Sequence, residues 1–223
     1  MYVHPTYAVT PGREALGVLD AWTWARSRKD ATGKRHDLKE SQRWIEGYER
    51  VAEMAAEFPA RRLVYLADRE ADLMPLMCRA QELGEPADWL VRASHNRCLP
   101  DGGKLWECTT AGEPLGQIEF TVASRHGVKA GPVRQQLWAQ RLELRGRSGK
   151  PLSVTSIVAR EIDAPAGTRP VEWRLLTNRL AETCAAVVEL VDWYRARWEI
   201  EMLLWRSLRI AAEALRAADP AYR

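Results

Sequence analysis

Cysteine is scarce in this 223-residue chain: Cys78, Cys98, Cys108 and Cys184 lie far apart, with no pair at metal-finger spacing. That removes zinc ribbons and secreted disulfide frameworks and leaves reduced, partly buried thiols as the default. Long apolar runs are missing as well. Nothing approaches the roughly 20 residues that a membrane-spanning helix needs, and Met1-Tyr2-Val3-His4-Pro5 has no basic stretch followed by an apolar one. The expectation is a cytoplasmic, unprocessed protein. Lysine is rare too, since six of the 33 basic residues are Lys and 27 are Arg, while the net charge is only +3. Arginine suits planar contacts with phosphates and carboxylates, although an Arg-rich, Ala-rich chain also follows from GC-rich coding. What is present, 46% apolar and 28% charged residues, describes a globular chain with room for one sizeable core, not collagen or disorder.

Along the chain, Tyr7-Ala8-Val9, a turn at Pro11-Gly12, and Leu16 to Trp24 read as a hairpin of two strands. A charged, Gly-containing loop follows over 25–40. Trp44, Ile45, Tyr48, Val51, Ala52 and Ala55 then carry the period of an amphipathic helix ending before Pro59. Leu63-Val64-Tyr65-Leu66-Ala67 is apolar on both faces, as expected of a strand inside a parallel sheet covered by helices, and Asp68 stands at its carboxyl end. A helix with Leu73, Leu76, Met77 and Ala80 begins near Pro75, and Trp89 to Arg92 reads as another strand. From about 95 to 177, Gly and Pro punctuate short alternating segments, a β-rich block. A long helix runs from Cys184 to about Leu208. This order predicts an α/β core interrupted by an insertion, without internal repeats.

Two constellations could carry chemistry. Asp68-Arg69-Glu70-Ala71-Asp72 puts a carboxylate where a buried strand meets a helix, the edge at which open α/β sheets bind ligands. A plainer reading makes Glu70 and Asp72 first-turn acids favoured by the helix dipole. Tyr194, Arg197 and Glu201, at i, i+3 and i+7, fall on one strip of a helix. The plainer alternative there is an exposed Arg197–Glu201 pair, with Trp193 and Trp198 packing on the core. Taken together, the two sites hold what is needed to share Mg²⁺ over a phosphodiester, since magnesium prefers one or two carboxylates plus substrate oxygens. Between Ser124 and Lys150 seven basic residues, among them Arg134, Arg141 and Arg145, face Glu143 alone, a candidate phosphate track or a solvated loop. Trp173 could stack on an unpaired base or belong to the core.

With Asp68-Arg69-Glu70-Ala71-Asp72 after a buried strand, and Tyr194-x-x-Arg197-Trp198-x-Ile200-Glu201 on a helix 133 residues later, the chain resembles bacterial insertion-sequence transposases of the DDE type, specifically the IS-four group. The resemblance implies a ribonuclease H-like core, with its first part over 1–94, a mainly antiparallel β insertion over 95–177, a catalytic-Glu helix over 178–210 and a tail over 211–223. It further implies that Asp68 and Glu201 are catalytic carboxylates holding Mg²⁺ or Mn²⁺. Tyr194 and Arg197 would hold DNA-end phosphates, Trp173 would stack on a flipped base, and Arg92 and His95 would contact DNA. The implied partners are double-stranded transposon ends and target DNA, met by a dimer in the bacterial nucleoid.

The family's first catalytic Asp belongs to a strand ahead of the hairpin, and no Asp occurs before Asp20. Neither the Lys about two turns past Glu201 nor the Gly-containing stretch that the family shows after it appears in register, and the end-binding and dimerising regions have no match. The expectation is a truncated or decayed transposase core, catalytically incompetent as this chain. Two alternatives stand beside it: a DNA-binding or inhibitory module without chemistry, and a phosphohydrolase using Asp68 as nucleophile.

Overall fold

Two sheets, one of two strands and one of six, set the layout of this protein. The computed structural model describes residues 2–24, 32, 40–122, 130–146 and 149–197. Strands β1 (Tyr2–Val9) and β2 (Ala15–Trp24) pair antiparallel as a two-stranded sheet, the hairpin that the alternating pattern predicts. Helix α1 (Glu40–Glu57) follows, then β3 (Val64–Ala67), a short 3-10 turn (Arg69–Ala71), α2 (Met74–Glu82) and β4 (Asp88–Arg92). Pro75 sits in the first turn of α2, where its missing N–H costs nothing. A short helix α3 (Leu105–Thr109) precedes three long antiparallel strands, β5 (Gly116–Val122), β6 (Gly131–Arg145) and β7 (Pro151–Ile162). Strand β8 (Glu172–Thr177) and helix α4 (Cys184–Ala196) complete the described chain. The Thr183 hydroxyl accepts from the Ala186 N–H and caps α4.

The larger sheet has six strands in the order β3-β4-β8-β7-β6-β5. Only β3 and β4 are parallel; every other pair is antiparallel. The sheet is therefore mixed, and the fold is α/β. This corrects the expectation that β3 lies inside a parallel sheet. It is an edge strand of the six, and it is apolar on both faces because helices cover both faces, whatever its pairing. Strand β8 lies between β4 and β7, so the β-rich stretch and the β3–β4 pair share one continuous sheet.

The sheet divides the core in two. Alternation along β4 sends Trp89 and Val91 to one side and Leu90 to the other. On the first side Trp89 meets Tyr48 and Val51 of α1, Leu76 and Met77 of α2, and Leu144 and Leu152. Tyr48 is fully buried, and its hydroxyl donates to the Ala87 carbonyl at 2.9 Å, so that hydroxyl is satisfied within the core. On the second side Leu90, Ile157 and Leu175 pack under Val187, Leu190, Val191 and Tyr194 of α4. All four cysteines are free thiols. No helix among the described residues is long and apolar enough to cross a membrane.

Candidate functional site

The carboxyl ends of β3 and β4, together with the end of α4 that passes beneath them, bring most of the singled-out residues together. Ala67 stands opposite Val91 in the parallel register, so Asp68, just past β3, stands level with Arg92, the last residue of β4. Asp68 Oδ1 accepts from the Arg69 N–H at 2.7 Å and so caps the 3-10 turn. The Tyr194 hydroxyl lies 3.4 Å from the same oxygen, across 126 residues of chain. Arg197 Nη2 lies 3.7 Å from Asp68 Oδ2. Both distances exceed ordinary hydrogen-bond lengths. Apart from the Arg69 N–H, the carboxylate, about one-third exposed with 32% of its side-chain surface open, is approached only loosely by these two side-chain donors.

Tyr194 is 1% exposed and Arg197 keeps 15% of its side-chain surface. The plainer reading of Arg197 as an exposed side chain is therefore corrected: its guanidinium turns inward toward Asp68. Glu201 lies outside the described residues, as does Trp198. Burial raises the Tyr194 pKa, and the Asp68 charge raises it further. Arg197 and Arg92 oppose the shift without cancelling it. Tyr194 thus remains a neutral O–H donor around neutral pH.

Trp173 on β8 joins the edge of this cluster, its ring 6.0 Å from that of Tyr194 at 63°. It is half-buried, and Phe120 stacks on it at 5.2 Å and 15°. Both the core role and the platform role considered for this residue therefore start from a ring already stacked on one side.

His95 sits in the loop after β4 and belongs to a second cluster, which sequence reasoning missed. Its centre is Asp72, taken from the sequence as a first-turn acid of a helix. The side chain of Asp72 is fully buried. Its Oδ2 accepts from the backbone N–H groups of Ser94 at 2.7 Å and His95 at 3.0 Å, and lies 3.0 Å from His95 Nδ1. Its Oδ1 pairs with Arg97 Nη2 at 2.6 Å. Burial pushes the Asp72 pKa up, but Arg97, the Ser94 N–H and His95 outweigh it, so the net shift is downward. Asp72 thereby ties the loop after β4 to the turn after β3, the two segments that carry His95 and Asp68. No local pattern marks this, because the partners lie 22 to 25 residues away and only the β3–β4 pairing brings them close.

The basic stretch over 124–150 is in part structural. Arg141 on β6 bonds the Ser153 and Thr155 hydroxyls and the Asn178 carbonyl, and Arg134 pairs with Asp163. Arg145 and Lys150 are exposed; Arg125, Lys129 and Arg147 lie outside the described residues. Among the described residues no three His, Cys, Asp or Glu side chains group as a metal site. Chemically, the site is an accessible carboxylate flanked by two guanidiniums and a neutral phenol, a composition suited to a phosphodiester and a hard cation. No protein-family model matches the chain.

Proposed function

We propose that this chain carries catalytic-core elements of a DDE-type DNA transposase with a ribonuclease H-like core, and that the ends of β3, β4 and α4 form its DNA-phosphate site. The observation that carries the reading is the convergence of Tyr194 and Arg197 on Asp68 from the far end of the chain. Motif spacing alone requires no such convergence. The hairpin, the parallel β3–β4 pair and the helices on both sheet faces support the same reading.

In this reading Arg92 and Arg197 neutralise phosphate charge through charge-assisted hydrogen bonds, and Tyr194 donates its O–H to a phosphate oxygen. Asp68 fits Mg²⁺ or Mn²⁺ in donor type, being a partly exposed hard-oxygen ligand whose Tyr194 and Arg197 contacts are long. Asp68 and Glu201 are the residues that would hold the ion, which when bound supplies charge neutralisation and an activated oxygen nucleophile. The Asp72 staple fixes the loop that presents His95 toward the DNA backbone. Among the described residues Asp68 has no second carboxylate grouped with it as a metal site, and on this reading the 223-residue chain binds DNA without cleaving it. The second reading, a binding module with no chemical ancestry in this site, draws on the same guanidinium pair and on Asp68 being its one carboxylate among the described residues.

Gel shifts on a 30-base-pair duplex test the proposal, beside incubation of supercoiled plasmid with Mg²⁺ or Mn²⁺. Two guanidinium–phosphate contacts predict at least about a tenfold loss of affinity on raising salt fourfold. No shift at about 50 mM salt, where such contacts are strongest, overturns the DNA reading. Plasmid nicking that disappears in Asp68→Ala overturns the inert reading while keeping the site.

A further inference from the structure

We propose that His95 is a proton-gated phosphate contact: its neutral ring presents a bare Nε2 that a phosphodiester cannot use, and its protonated ring presents a charged N–H donor. The inference rests on the DNA reading of the neighbouring site and adds to it a dependence on pH. Asp72 decides which ring nitrogen carries the hydrogen. Its Oδ2 lies 3.0 Å from His95 Nδ1. Burial of Asp72 is outweighed by Arg97 and the loop donors, so its pKa stays below the ordinary value and the ionised carboxylate offers lone pairs only. A ring nitrogen facing it at that distance must be the donor, so Nδ1 bears the hydrogen. The Ser94 hydroxyl, 3.1 Å from the same nitrogen, then turns its own hydrogen to Asp72 Oδ2 at 3.2 Å. A neutral imidazole carries a single hydrogen, which leaves Nε2 with a lone pair. Nε2 meets no partner among the described residues, and the side chain is exposed.

A phosphodiester offers acceptors alone, so it gains nothing from a bare Nε2. A second proton reverses this: Nε2 becomes a charged donor, and the balance of Asp72 against Arg97 turns from neutral to positive. Histidine is the residue type whose charge changes between pH 5 and 8, a range in which the guanidiniums of Arg92 and Arg197 keep theirs. The other charged groups tied to this loop among the described residues come from four elements. The turn after β3 supplies Asp72, with Arg69 and Glu70 exposed beside it, and the loop itself supplies Arg97. Helix α3 supplies Glu107, held by the Asn96 amide at 2.9 Å, and β8 supplies Arg174, paired with Glu172. His95 is the one imidazole in this set.

The test uses the full 223-residue chain and has two arms. Imidazole ¹⁵N shifts at about pH 8, without DNA, must show His95 protonated at Nδ1 and bare at Nε2. The opposite tautomer overturns the proposal whatever the chain binds. Gel shifts of the 30-base-pair duplex over a salt series, at about pH 5.5 and again at about pH 8, read the gate. Wild type should bind more tightly at the lower pH, with a salt slope steeper by about 0.9, the increment of one phosphate contact. His95→Gln cannot gain the charge, so its increment between the two pH values should be smaller than that of wild type by about 0.9. His4, His36 and His126 are present in both proteins and cancel in that comparison. Equal increments in wild type and His95→Gln overturn the gate and leave the DNA reading standing. No shift of the duplex at either pH overturns both.

Discussion

Replacing Asp72 by Asn tests the account of the loop that carries His95. The Asp72 side chain is fully buried, and it faces Arg97, whose side chain keeps only 14% exposure, across 2.6 Å. Asn keeps the shape and one acceptor but removes the charge, and it turns an N–H₂ group toward the N–H donors of Ser94 and His95. Breaking one partner of a buried pair costs about 3–5 kcal/mol. The retained acceptor and the partial exposure of Arg97 place Asp72→Asn near the lower end, about 3 kcal/mol. In a chain of this size that lowers the melting temperature by about 6–12 °C. Urea unfolding followed by tryptophan fluorescence reads it as a lower midpoint with unchanged slope. Pairing Asp72→Asn with Arg97→Met should cost less than the two single changes summed, because no buried charge is then stranded. The pH dependence has a definite sign. The folded-state pKa of Asp72 lies below its ordinary value of 3.8, so its stabilisation is present above that value and fades as pH falls through the depressed one. A cost under about 1 kcal/mol refutes the staple, given what stranding Arg97 should cost. A difference between wild type and variant that persists undiminished in strong acid refutes it equally.

Other consequences concern the core and the candidate site. Tyr48→Phe leaves the Ala87 carbonyl without its 2.9 Å partner, which should cost about 1–3 kcal/mol in urea unfolding. Burial, then the charges of Glu85 and Asp88, raise the Tyr48 pKa above its ordinary 10.0. Wild-type stability is thus complete below that value and declines as pH rises beyond it, a decline that Tyr48→Phe should lessen. Arg92→Gln and Arg197→Gln should each lower the salt slope of duplex binding by about 0.9, and the double change by about twice that. A slope unaltered in both variants removes these residues from the DNA surface.

The sequence made the local parts of this fold visible. The apolar period of α1, the start of α2 at Pro75 and the alternating hairpin are written in neighbouring residues, and each lies where expected. So is the placement of Asp68 at the end of β3, since a continuous apolar run followed by an acid marks a strand end directly. Long-range order was not visible in this way. Whether β3 is central or at an edge depends on which strand pairs beside it, and an apolar run looks the same in both positions once helices cover both faces. The position of β8 between β4 and β7 is likewise a pairing choice, encoded in contacts more than 80 residues apart such as the Thr177 hydroxyl on the Trp89 carbonyl. At the candidate site, helical spacing placed Tyr194 and Arg197 on one strip, but the spacing is equally that of a solvated pair. Only the packing of α4 against the sheet turns them onto Asp68. Asp72 was hardest to read, being one of three acids in five residues with nothing local to mark it as the buried one.

The most direct test of the phosphate-and-cation site is the affinity of wild type and Asp68→Asn for the same duplex, with and without Mg²⁺ at matched ionic strength. Without the ion, removing the carboxylate should tighten binding, because Arg92 and Arg197 then face phosphate with no competing charge. With Mg²⁺, wild type should gain several-fold in affinity and the variant little. Identical Mg²⁺ responses, or weaker ion-free binding by the variant, would contradict the site.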